Sequence, residues 1–288
     1  MNPRPIQARA LSNVELKELL EKKWLHEPQH MYLLHNLFVA LGTIKDVRES
    51  FQGEFFGAFS AEGLQGLMVL RPGYSFVLGE CSRDAAASFA SVLLHAPTPP
   101  RLGIGPTQAM ASLLRSLGRR MKVRFERSQP FMAILRGTSL GPGIGPEAAL
   151  RRARAQDAEW LVRANLTLNH EDLQFDPRLI HMGKLRERIQ GRIERGETWI
   201  LEVADKPVSK LDLGFEGPAG ALIEGVFTAM EWRGKGMGTR LVSALCAILL
   251  ERVERVGLHH ARDNIPARKA YLAAGLEEVA DSRLVLFH

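Results

Sequence analysis

The sequence predicts an α/β fold, an α+β mixed sheet built twice, in two domains. Three observations lead there. Residues 226–239 run an apolar strand into a glycine-rich turn that opens a long amphipathic helix, and segments of strand period and helix period alternate through both halves. Between the halves lies Arg136-Gly137-Thr138-Ser139-Leu140-Gly141-Pro142-Gly143-Ile144-Gly145-Pro146, without periodicity. It reads as an interdomain linker, giving expected domains of 1–140 and 141–288.

In the first domain, Ser12-Asn13-Val14-Glu15 has the spacing of a capping box and starts a helix toward Lys23. A second helix is expected over Met31 to Leu41, and strands over Glu54 to Phe59, Gly63 to Leu70 and Tyr74 to Leu78. Helices near Asp84 to Leu93 and Pro106 to Leu117, then strands at Lys122 to Phe125 and Phe131 to Leu135, complete it. In the second domain a short strand, Leu150 to Arg154, precedes a helix from Asp157 to Leu168. Pro177 opens another helix to about Glu194, as proline suits a first turn. Strands Thr198 to Val203, Val208 to Phe215 and Ala221 to Thr228 follow, with turns at Asp205-Lys206-Pro207 and Gly217-Pro218-Ala219-Gly220. The long helix ends near Val256. A strand at Leu258 to Ala261, a helix from Ile265 to Ala274, and strands at Leu276 to Ala280 and Arg283 to Phe287 close the chain.

The functional signal sits in Val226-Phe227-Thr228 and Arg233-Gly234-Lys235-Gly236-Met237-Gly238-Thr239. The first turn of a helix leaves N–H donors without intrahelical acceptors and carries the positive end of the helix dipole, so an anion is its natural occupant. Glycines let the backbone approach that anion closely and take positive φ. Leu241, Val242, Leu245, Leu249 and Val253 recur at helical spacing, so one face of the helix packs on a core while its start stays at the site. The nucleotide P-loop spacing is absent, and the glycines run Gly-x-Gly-x-Gly rather than the Gly-x-Gly-x-x-Gly of dinucleotide folds.

The run Arg233-Gly234-Lys235-Gly236-Met237-Gly238 fits the pattern Arg/Gln-x-x-Gly-x-Gly/Ala. Downstream, Asn264-Ile265-Pro266-Ala267-Arg268-Lys269-Ala270-Tyr271, then Gly275-Leu276, fits Asn-x-x-Ala-x-x-x-Tyr-x-x-x-Gly-Phe, with Leu276 in place of Phe. In these two motifs the second half resembles the GCN5-related N-acetyltransferase (GNAT) superfamily, and its element order is similar to that family's. The resemblance implies an acyl-CoA site lined by Val226, Phe227, Thr228, Arg233, Gly234, Lys235, Gly236, Met237, Gly238, Thr239 and Asn264. Backbone groups of Phe227 and Thr228 would pair with the pantetheine amides as a peptide adds to a sheet edge. It also implies that Glu224 is the general base, made more basic by apolar neighbours, and that Tyr271 is the general acid at the thioester sulfur. A structural carboxylate bonded to a basic side chain, a tyrosine that only packs, and an asparagine that only caps a helix are the competing readings. In the first half, Arg101-Leu102-Gly103-Ile104-Gly105-Pro106 stands where the turn is expected, one residue short and with a proline removing a donor. That half therefore resembles a degenerate acetyltransferase-like domain of a tandem member, without coenzyme A binding.

Composition bounds the rest. The chain has 288 residues, 45% hydrophobic and 24% charged, as a globular protein has, and no apolar run of the ~20 residues that spans a bilayer. Its start, Met1-Asn2-Pro3-Arg4-Pro5, lacks a secretory pattern, so a cytoplasmic protein is expected. Cys81 and Cys246 read as buried thiols. The net charge of +6 suits an anionic cosubstrate, while basic residues interspersed with acids and no basic stripe with interleaved aromatics argue against nucleic acid. Metal ligation has no supporting spacing among the histidines, His259 and His260 included. Asn169 to Asp176 joins the two helices that form the acceptor wall in the superfamily; its three carboxylates, Glu171 and Asp172 foremost and then Asp176, would hold a cationic amine, the competing reading being an exposed acidic loop. The expected function is direct N-acylation of an amine, small-molecule or protein, from acetyl-CoA. The alternatives are a non-catalytic acyl-CoA sensor or interaction module, and acylation of a thiol or hydroxyl. Monomer and homodimer are both open.

Overall fold

The computed structural model describes residues 6–44 and 53–288; Met1–Pro5 lies outside them. The chain divides into two compact units, Met1–Phe131 with Gly217–Ala219 and Val279–His288, and Met132–Glu216 with Gly220–Glu278. Each is built on one seven-stranded sheet containing both parallel and antiparallel pairs, so the α/β mixed-sheet class holds in both.

The first unit contains β1 (Gln7–Ala10), α1 (Asn13–Leu19), α2 (Met31–Ala40), β2 (Glu54–Ser60), β3 (Gly63–Arg71), β4 (Ser75–Cys81), α3 (Arg83–Leu94), β5 (Leu102–Pro106), α4 (Thr107–Leu117) and β6 (Val123–Ser128). The capping box forms as its spacing requires: Glu15 N donates to Ser12 Oγ at 3.4 Å and Ser12 N donates to the Glu15 carboxylate at 2.9 Å. Phe89 and Leu93 from α3 and Met110 and Leu113 from α4 pack with Met68, Phe76 and Leu78 of the sheet into one core. Each such side chain contributes ~1.5–3 kcal/mol through burial.

The next strand, β7 (Phe131–Leu135), belongs to the other sheet. The second unit goes on through β8 (Ala148–Arg152), α5 (Ala158–Leu173), α6 (Met182–Glu194), β9 (Thr198–Val203), β10 (Lys206–Gly217), β11 (Gly220–Thr228), α7 (Met237–Leu250), β12 (Arg255–His259), α8 (Ile265–Ala273) and β13 (Glu277–Ala280). The last strand, β14 (Ser282–Phe287), then pairs with β5 and β6 in the first sheet. Sequence periodicity located β7 and β14 as strands, but each lies in the sheet opposite to the one its position in the chain suggests. The sheet orders are β1-β2-β3-β4-β5-β14-β6 and β13-β7-β12-β11-β10-β9-β8.

The Gly/Pro-rich segment read as a linker joins β7 to β8 along the second unit. Gly141 N donates to Ala274 O at 3.1 Å and Ser243 Oγ donates to Gly141 O at 3.0 Å. In this unit α7 buries Leu241, Val242, Leu245 and Leu249 completely in the core on one face of the sheet. On the other face, Leu161 and Val162 of α5 pack with Leu185 and Ile189 of α6 and Ile200 of β9. Both cysteines are free, and burial pushes the Cys81 and Cys246 thiols up to about 12. Among the described residues no helix is long and apolar enough to cross a membrane.

Gly103 and Gly105, read from the sequence as part of a degenerate turn, are instead residues of β5. Phe76 of β4 lies opposite Gly103 in the parallel pair, and a Cβ on Gly103 would come within 2.2 Å of the Phe76 ring. The glycines make room for core side chains. Gly103→Ala is therefore expected to destabilise the fold by ~1–3 kcal/mol through overpacking. Adding Phe76→Leu should recover part of the loss, and thermal unfolding of the two variants against wild type checks both.

Candidate functional site

In the middle of the second sheet, β11 and β12 run parallel but pair only at Ala221↔Val256, Leu222↔Gly257 and Ile223↔Leu258. Residues 224–228 continue the strand with no partner on that side among the described residues. On its other side β11 is held: Ser209 Oγ donates to Phe227 O at 2.7 Å and lies 2.9 Å from Thr228 Oγ1. The result is an edge inside a sheet, fixed in place and able to pair with an extended ligand.

The strand leads through a short 3-10 turn, Met230–Trp232, into the glycine-rich segment. Gly234 and Gly236 both sit at φ 76, the left-handed region that a side chain disfavours. A Cβ on either would meet nothing within 4 Å, so these glycines answer to backbone conformation, and open space lies beside them. The first intrahelical bond of α7 runs from Arg240 N to Gly236 O at 3.0 Å. The N–H groups of Met237, Gly238 and Thr239 precede it, no side chain caps this end, and no acid stands in the first turn. Lys235 Nζ lies 4.9 Å from the Trp232 ring centre and adds positive charge. A pyrophosphate fits this donor set.

Arg233 braces the turn. Its Nε donates to Thr228 O at 3.0 Å, its Nη2 pairs with Glu171 of α5 at 2.9 Å, and the guanidinium lies 5.7 Å from the Phe227 ring centre. Glu171, expected to hold an amine, thus spends its charge on Arg233. Phe227 also packs edge-on against Trp160 of α5, at 6.1 Å between ring centres. Asn264 caps α8, its Oδ1 accepting from Ala267 N at 3.1 Å. Tyr271 is buried on α8, its ring edge-on to that of His260. Burial, with Asp172 adding negative charge nearby, pushes the tyrosine pKa well above its ordinary value. The phenol therefore stays protonated at neutral pH.

Glu224 has surroundings other than those its sequence neighbours suggest. Its carboxylate is bonded to the Arg192 guanidinium from α6 and is 40% exposed, so an ion pair replaces the expected apolar setting. Residues 222, 223 and 226 are apolar, but the contact comes from a helix 32 positions upstream. Arg192 also reaches Asp212 Oδ2 at 3.1 Å, and the fully buried Lys210 donates to the same oxygen at 2.7 Å. Thr198 Oγ1 donates to Asp212 Oδ1 at 2.7 Å. Burial alone would raise the Asp212 pKa; Lys210, Arg192 and the two hydrogen bonds outweigh it and hold the group below its ordinary value. This cluster lies under Gly225, where φ is 59 and a Cβ would come within 2.8 Å of Asp212 Oδ2 and 2.9 Å of Lys210 Nζ.

Lys210, Asp212, Arg192 and Ser209 escaped sequence reasoning. A signal existed: Lys210 and Asp212 stand two apart on either side of Leu211 in a strand, so opposite charges share one face. The partner on α6 had none.

The first unit has the same order around its parallel pair, β4-α3-β5-α4 against β11-α7-β12-α8. Its counterpart to the glycine turn is therefore the β4–α3 junction, not residues 101–106. There Cys81 passes directly to Ser82, whose Oγ accepts from Ala85 N at 3.2 Å. A side chain of the protein itself takes one of the donors that a phosphate would need.

Residues 160–276 match the model of the Acetyltransferase (GNAT) family. No curated protein matches the sequence. Among solved structures, a GCN5-related N-acetyltransferase from Sphaerobacter thermophilus is 15% identical with a TM-score of 0.59, over 99% of this chain and 96% of that one. A Drosophila protein is 16% identical with a TM-score of 0.65, over 98% of each chain. A tandem GNAT protein from the clavulanic acid biosynthesis pathway is 13% identical with a TM-score of 0.54, over 98% and 97%. These likenesses extend the fold over nearly the whole chain, so the first unit shares it too.

The low pKa of Asp212 gives a signed expectation. Its share of stability is complete above the unfolded value, about pH 4, and is lost as pH falls through the folded one. Lys210→Met leaves a buried carboxylate with one cation fewer and is expected to cost ~3 kcal/mol, part of it regained by adding Asp212→Leu. Urea unfolding at pH 7 measures both; a Lys210→Met protein as stable as wild type would show that the pair carries no weight.

Proposed function

We propose that the protein transfers an acyl group, acetyl in the first instance, from coenzyme A to an amine, a reading supported by the match of residues 160–276 to the GNAT acetyltransferase family. The observation that carries this reading is the unpaired edge of residues 224–228 leading into the uncapped start of α7. An edge that accepts an extended amide chain, followed at once by an anion site, suits a ligand built as a pantetheine arm on a pyrophosphate. Val226, Phe227 and Thr228 take the arm, with Asn264 offering its amide nitrogen beyond the cap. Gly234 to Thr239 takes the phosphates, Arg233 bracing that turn and Lys235 adding charge. The functional division is residues 1–140, acetyltransferase-like without a coenzyme A site, and 141–288, catalytic, with β7 and β14 exchanged as described. The protein works in the cytoplasm.

The chemistry asks for a neutral amine, a polarised carbonyl and a proton for the departing thiolate. An N–H of the 224–228 edge donates to the carbonyl oxygen. Glu224, one oxygen held by Arg192, takes the ammonium proton on the other and passes it to water. With one oxygen committed to Arg192, Glu224 has a single oxygen free for the proton, so its share of the rate is modest. Tyr271 presents a protonated hydroxyl to the leaving sulfur and gives it a proton as the C–S bond breaks; the phenolate, strongly basic with its pKa raised, regains one from the nitrogen that becomes the amide. Burial, and after it the charge of Asp172, keep that phenol neutral.

Coenzyme A thiol release with an amine panel tests this. Tyr271→Phe is expected to lower kcat ~10²-fold and Glu224→Gln about tenfold, both with unchanged acetyl-CoA affinity. Wild-type turnover in both variants would remove them from the chemistry. Acetyl-CoA binding without turnover of any amine would favour a sensor.

A further inference from the structure

The cluster beside Glu224 has a charge imbalance that the acyl-transfer reading does not use. On α6, Arg188 and Arg192 stand four residues apart and so project from neighbouring positions on the same side of the helix. Arg192 is committed to Glu224 and Asp212, and Lys210 is committed to Asp212. Three cations thus face two carboxylates. Arg188 is the surplus one: one turn before Arg192 on α6, it is exposed and forms no ion pair or hydrogen bond among the described residues. Desolvation first, and then the neighbouring Arg192, lower its pKa against the pull of Asp212 and Glu224. The acids of residues 169–176 are turned to other groups: Glu171 pairs with Arg233, Asp176 pairs with Arg178, and Asp172 adds its charge beside Tyr271.

We propose that the amine acceptor also carries an anionic group, a carboxylate or a phosphate, and that Arg188 binds this group while the amine lies at Glu224. This rests on the acyl-transfer reading and names the substrate class of the same site. The planar guanidinium offers paired N–H donors that match the two oxygens of either anion. Binding there would neutralise the surplus charge. It would also fix the distance between the anionic end and the amine, so Arg188 is a specificity-determining residue and has no part in moving protons.

The test measures coenzyme A release from acetyl-CoA with matched acceptors: a pool of free amino acids against the same pool as carboxamides, and O-phosphoethanolamine against ethanolamine. At least one anionic member should exceed its neutral match in kcat/KM by about tenfold or more. Arg188→Gln should abolish that ratio, with acetyl-CoA affinity and unfolding midpoint unchanged. The first pair reads out a carboxylate, the second a phosphate. Equal rates for both members, a preference for the neutral ones, a ratio that survives in Arg188→Gln, or no turnover of any anionic amine would each overturn the inference. Calorimetry with acetyl-CoA on the same preparation separates the two failures. Bound acetyl-CoA without an anionic preference sinks this inference alone, whereas no binding sinks the acyl-transfer reading with it.

Discussion

The organisation of the second unit depends on where β11 and β12 stop pairing. Two parallel strands in the interior of a sheet would ordinarily satisfy each other along their length, and here the ladder ends at Ile223↔Leu258. Beyond it the chain carries backbone donors and acceptors at the centre of the sheet, where unpaired groups are costly. Everything nearby serves to hold that opening. Ser209 ties the far side of β11, Arg233 ties its end to the turn and to α5, and α7 is anchored by side chains with no exposed surface.

The buried charges are part of the same construction. Gly225 bends β11 through the left-handed region directly over Lys210 and Asp212, a conformation and a contact that only glycine permits. A buried ion cluster is weak evidence for stability, because its desolvation offsets much of its attraction. Its position matters more. By linking α6 to β10 and β11, it sets Glu224 and Arg188 in relation to the open edge.

The first unit shows what the arrangement looks like without the turn. It keeps the parallel pair and the crossing helices, but β4 enters α3 through Ser82, and the helix start is capped from within. The chain's order also explains why β7 and β14 occupy exchanged sheets: nothing in a five- or six-residue apolar strand says which sheet will accept it.

Local signals were therefore legible and distant partners were not. The turn at Arg233–Thr239 and the α7 face could be read because each depends on residues close in sequence. The capping box at Ser12 and most strands followed from spacing alone, but Gln7–Ala10 is not foreseen as a strand and in the sequence Leu102–Pro106 reads as a turn. The Glu224–Arg192 pair could not be read that way, since it joins a strand to a helix 32 positions away. Nor could the role of Gly103, which answers to a ring on the neighbouring strand. The most direct measurement of the account is calorimetric titration of acetyl-CoA into the wild-type protein and into Gly236→Asp, whose carboxylate would repel a pyrophosphate at the start of α7. The account predicts saturable binding at one site per chain, lost in the variant. Binding at two sites, binding that survives in the variant, or none to wild type would contradict it.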